Sequence, residues 1–101
     1  MAKAFVIGEI CVIDPTKFSE YRELSTAAVE KFGGTWLARG GERTQLEGGD
    51  GAHNAEWRTV IVEFPSVDSA RAWYDSMEYT KAREVRIASS IGRLYIVSGV
   101  R

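Results

Sequence analysis

The chain has 101 residues, 13 Lys plus Arg against 14 Asp plus Glu, 45% hydrophobic residues and one cysteine. This length suits one domain over residues 1–101, because a second independent core would be too small to stand alone. A formal net charge of -1 with 11% aromatic residues excludes a disordered chain, and the scattered basic residues give no electrostatic footprint for nucleic acid.

The first segment, Phe5 to Ile13, is rich in β-branched and aromatic residues and reads as a strand. Asp14-Pro15 ends it and opens a helix, as an N-cap followed by proline at the first helical position. Phe18, Tyr21, Leu24, Ala28 and Phe32 then recur at spacings of three and four, so they share one helix face. Gly33-Gly34 closes that helix. Thr35 to Arg39 reads as a second strand before Gly40-Gly41, and residues 47–56, with three glycines and His53, read as a loop. Trp57 to Phe64 is the third strand. After Pro65, Ser66 caps a second helix marked by Val67, Ala70, Trp73, Tyr74 and Met77. A further helical stretch covers Tyr79 to Ala88, and Arg93 to Ser98 is the last strand.

This order is βαββαβ, the α+β ferredoxin-like arrangement of one antiparallel sheet with helices on one face. Counting by twos puts Val6, Ile10 and Val12 on one side of the first strand, and Val60, Val62 and Phe64 on one side of the third. These apolar sides are expected to meet the helices. The opposite sides carry Phe5, Ile7, Glu9 and Cys11, then Trp57, Thr59, Ile61 and Glu63, a mixture too apolar for water. Nothing in the chain is left to cover it, so the expected cover is the same face of a second subunit in an isologous homodimer.

Four segments in order carry a family resemblance: Arg39-Gly40-Gly41, Leu46-Glu47-Gly48, Glu63-Phe64-Pro65-Ser66, and Trp73-Tyr74-Asp75-Ser76-Met77-Glu78-Tyr79. Together they resemble the domain-of-unknown-function 1330 family of the dimeric α/β-barrel superfamily. The resemblance spans essentially the whole chain. It implies a homodimer whose sheets face each other in a barrel-like core, with a pocket between each sheet and its neighbouring elements. It implies no reaction, and the 47–56 loop maps onto no motif of the family.

Two groups of residues are candidates for chemistry. The first is Glu9, Glu63 and Arg39, which converge on the helix-free face if Arg39 points that way. A carboxylate in a partly apolar pocket serves as a general base or acid, and an arginine either keeps it ionised or clamps a ligand carboxylate through two parallel hydrogen bonds. The alternative for this group is a structural ion pair. The second is Tyr74, Tyr79, Arg83 and Arg86, of which the last three share a helix face and suit an anionic or oxygenated aromatic ligand. The alternative there is amphipathic packing with polar ends in water.

Single residues add less. His53 has no second histidine or cysteine nearby, so no conventional zinc or copper site is expected. Trp36, Trp57 and Trp73 read as core or interface residues, and Cys11 as a buried reduced thiol. No phosphate-cradling glycine motif, nucleophile elbow or metalloprotease motif is present, so no cofactor is expected. An apolar run of only Ala4 to Ile7 is no signal peptide, and no stretch approaches the roughly 18 apolar residues of a membrane span. The expectation is a cytoplasmic homodimer that binds a small aromatic or carboxylated metabolite, with Arg39, Tyr74, Tyr79 and Arg83 as ligand contacts. The alternatives are a cofactor-independent oxygenase or isomerase with Glu9 or Glu63 as base, and a structural dimer without ligand.

Overall fold

A computed structural model describes residues 2–48 and 57–101. Most of the segment read as a loop, and His53 with it, lies outside the described residues. The elements are β1 (Ala4–Val12), α1 (Pro15–Lys31), β2 (Thr35–Arg39), β3 (Trp57–Phe64), α2 (Val67–Asp75), α3 (Met77–Ser89) and β4 (Ser90–Ser98). The sheet is antiparallel in the order β2-β3-β1-β4, so the two strands with the most apolar sides are central and the ferredoxin-like reading holds.

Local chemistry sets the helix ends. The Asp14 carboxylate accepts from the Lys17 amide at 3.1 Å, and Pro15 takes the first helical position, whose amide needs no partner. At the other end Gly33, at φ +79°, donates to the Glu30 carbonyl, while Gly34 donates to that of Val29. This paired arrangement satisfies the last carbonyls of α1 and turns the chain into β2. Ser66 and Ser69 exchange side-chain and backbone bonds at the start of α2. Ser76 serves two helices, since its hydroxyl donates to the Trp73 carbonyl at the end of α2 and accepts from the Tyr79 amide at the start of α3. That break turns the helical stretch after β3 into two helices.

Helix and sheet meet in one core. Val6, Ile10, Val62 and Phe64 are buried against Phe18, Tyr21, Ala28 and Val29 of α1. Burying each of the larger of these side chains contributes roughly 1.5–3 kcal/mol. Trp73 and Tyr79 tie α2 and α3 into the same core, with ring centroids 4.2 Å apart and Phe64 stacked 5.4 Å from Trp73. The other side of the sheet carries no helix among the described residues. Phe5, Ile7 and Ile61 are half-buried there, and Ile91, Tyr95 and Val97 of β4 are exposed at 56%, 42% and 43%.

β4 begins at Ser90, three residues earlier than the pattern suggests, because Gly92 interrupts the apolar alternation. That glycine lies opposite Ile10, and a Cβ there would stand 2.1 Å from the Glu9 carbonyl oxygen. Backbone in a central strand does not yield easily. Gly92→Ala is therefore expected to cost about 2–3 kcal/mol in urea unfolding; a loss under about 0.5 kcal/mol would contradict this packing.

Candidate functional site

β2 contains an irregularity that decides where the site lies. Trp36 pairs with Val62 and Ala38 with Ile61, so Leu37 is an extra residue, a β-bulge. Counting by twos from Thr35, which pairs with Glu63, would put Arg39 on the helix-free face. The bulge shifts the alternation by one, so Arg39 pairs with Val60 and joins Trp36 on the helix side. The expected convergence of Glu9, Glu63 and Arg39 does not occur.

Arg39 stands at the mouth of a cleft between α1 and the sheet. Phe18, Tyr21 and Ser25 of α1 form one wall, Val6, Ile10, Val60 and Val62 the floor, and Trp36 and Trp73 the sides. The cleft encloses a volume of about 40 Å³, room for about three waters. At its mouth, Arg22, Arg39, Gly40 and Arg58 continue into a polar groove that also carries Glu42, Arg43 and Trp57.

The mouth is cationic. The Arg39 guanidinium stacks on Trp36 at 3.8 Å and donates to the Arg22 carbonyl at 2.9 Å. Partial burial, and next the charge of Arg22, push its pKa below the ordinary arginine value. The ion pairs among the described residues are Lys3–Glu63, Lys31–Glu78 and Arg93–Glu9, and none of them neutralises Arg22, Arg39 or Arg58. No carboxylate lines the cleft among the described residues. The indole N–H groups of Trp36 and Trp73 are buried without a hydrogen-bond partner among the described residues.

The remaining candidates lie elsewhere. Glu9 accepts two hydrogen bonds from Arg93, its cross-strand neighbour, at 2.8 and 3.0 Å, and Glu63 faces Lys3 at 3.5 Å, all on the helix-free side. Tyr74 accepts from Arg83 at 3.0 Å, and this pair does not line the cleft. Tyr79 is fully buried, with its hydroxyl 3.0 Å from that of Tyr21. Arg86, read as a helix-face neighbour of Arg83, is core. Cys11 is half-buried on the helix-free face.

Arg22, Arg58, Tyr21 and Trp36 are site residues that the sequence reading did not assign. A signal existed for Arg58, which counts by twos with Val60, Val62 and Phe64 and ends that apolar row in a charge.

Residues 3–100 match the family described as domain of unknown function DUF1330. The chain belongs to that family. Among solved structures it is similar to a protein of unknown function from Rhodopseudomonas palustris, with 19% identity over 99% of this chain and 84% of that one and a TM-score of 0.77. It is also similar to SnoaB, a cofactor-independent oxygenase from Streptomyces nogalater, with 14% identity over 100% of this chain and 96% of that one and a TM-score of 0.68. A conserved protein of unknown function from Bacteroides thetaiotaomicron has 7% identity over 97% and 98% of the two chains, with a TM-score of 0.67. At these identities the likeness is one of fold, the ferredoxin-like α+β arrangement of four antiparallel strands with helices on one face. No curated protein matches it in sequence.

The Tyr21–Tyr79 pair makes stability depend on pH. Burial, and next Tyr21, push the Tyr79 pKa well above the ordinary 10.0, so the folded chain keeps a proton that the unfolded chain releases. This contribution is present below about pH 10 and is lost progressively as pH rises above it. Urea melts from about pH 9 to about pH 11 should therefore lose stability more steeply for the native chain than for Tyr79→Phe; parallel curves would contradict the assignment.

Proposed function

We propose that this protein is a homodimer that binds a small aromatic carboxylate in the cleft between α1 and the sheet. The observation that carries the reading is Arg39, stacked on Trp36 at the mouth of an aromatic cleft and left without a carboxylate partner among the described residues. An arginine fork accepts a carboxylate through two parallel bonds, and a flat apolar slot accepts a ring. Arg22 and Arg58 add long-range attraction for the anion.

A second reading has one observation in its favour, the fold shared with the cofactor-independent oxygenase SnoaB. A reaction of that class needs a base beside the substrate. Glu9 and Glu63, the carboxylates first considered for that role, are held by Arg93 and Lys3 on the other side of the sheet. Ligand binding is the reading that the geometry supports best.

The dimer reading rests on the exposed row Ile91, Tyr95 and Val97 beside half-buried Phe5, Ile7 and Ile61. Packing of two such faces removes apolar surface from water and gives the barrel its core. The single thiol, Cys11, fits a reducing cytoplasm.

Two measurements test these statements. Chemical-shift titration with benzoate should show saturable binding that Arg39→Ala weakens by about tenfold to hundredfold, the range expected for lost hydrogen bonds to a charged group. No saturation, or an unchanged affinity in the variant, would remove the ligand reading. Native mass spectrometry should find two subunits, and Tyr95→Asp should give one; a monomeric native chain would remove the dimer.

A further inference from the structure

The walls of the cleft supply hydrogen-bond donors in excess of acceptors, and this asymmetry constrains the ligand beyond its carboxylate. The hydroxyls of Tyr21 and Tyr79 stand 3.0 Å apart. Two hydroxyls carry two protons, and their mutual bond uses one of them. The other needs an acceptor. Tyr79 is fully buried and does not line the cleft, so a leftover proton on Tyr79 would be an orphan in the core. Tyr21 lines the cleft, so a leftover proton on Tyr21 can be met by an acceptor bound there. The lower-energy arrangement is Tyr79 donating to Tyr21, and Tyr21 donating into the cleft.

Trp73, 2% exposed, and Trp36 also line the cleft, and their buried indole N–H groups have no partner among the described residues. An indole N–H only donates.

We infer that the bound ligand carries, besides its carboxylate, a carbonyl-type oxygen that accepts a hydrogen bond from the Tyr21 hydroxyl. The ligand class is thus a single-ring aromatic acid with an oxo substituent, its acid at Arg39 and its carbonyl at Tyr21. This rests on the cleft being a carboxylate site. Tyr79 is a positioning residue, acting through Tyr21.

Formylbenzoates and the matching vinylbenzoates test the inference, because formyl and vinyl groups have nearly the same shape and only the first accepts a hydrogen bond. Affinities of the three positional isomers of each are measured on the native chain and on Tyr21→Phe, which keeps the ring in the core. For at least one isomer the native chain should bind the formyl compound about tenfold tighter than its vinyl partner, the scale expected when a buried donor would otherwise be left unpaired. In Tyr21→Phe that ratio should fall to about one. Vinyl compounds bound as tightly as formyl ones by the native chain would overturn the inference and leave the benzoate site and its Arg39 dependence standing. A formyl preference that survives in Tyr21→Phe would overturn the assignment to Tyr21. Absence of benzoate binding would remove the underlying site as well. The comparison on the native chain is decisive even if the variant does not fold.

Discussion

The position of one inserted residue governs the chemistry of this fold. Leu37 has no partner in β3, and the shift it introduces rotates Arg39 from the helix-free side of the sheet to the helix side. Side chains in a strand alternate with a period of two, so a single extra residue moves everything beyond it to the opposite face. Without the bulge, Arg39 would stand beside carboxylates on the exposed side. With it, Arg39 lies flat on Trp36 over an aromatic slot, and the slot gains a cationic mouth.

The two faces of the sheet then divide the work. On the helix-free side the charges are matched: Glu9 with Arg93 across β1 and β4, Glu63 with Lys3. Matched charges among Ile7, Ile61, Tyr95 and Val97 suit an interface between subunits, where a lone charge would oppose association. At the cleft on the helix side, Arg22, Arg39 and Arg58 have no ion-pair partner among the described residues. Arg22 and Arg39 lie close enough that one depresses the pKa of the other, a repulsion that an arriving anion relieves. Evenly distributed net charge therefore hides a polar asymmetry between one side of the sheet and the other.

Much of the architecture was legible in the sequence because it rests on short-range rules. Asp14-Pro15, Gly33-Gly34 and Ser66 each fix a helix end by backbone chemistry within a few residues, and the apolar rows of β1 and β3 identify both the central strands and the face that meets the helices. The site was less legible. Nothing local in Thr-Trp-Leu-Ala-Arg marks Leu37 as a bulge, because the bulge depends on pairing with a strand about twenty residues away. Tyr79 and Arg83 share a helix face by spacing, but whether that face meets α1 or solvent depends on the turn at Ser76; the packing buries Tyr79 against Tyr21 and leaves Arg83 to Tyr74. Membership of the DUF1330 family and the shared fold settle the scaffold. Function resides in the side chains that the scaffold carries.

The proposed ligand site lies on the helix side, under Arg39. A crystal structure of the protein grown with benzoate tests this most directly. The ring should lie in the slot between Trp36 and Tyr21, with its carboxylate on the Arg39 guanidinium. Benzoate bound only on the helix-free face, beside Glu9 or Glu63, would contradict it.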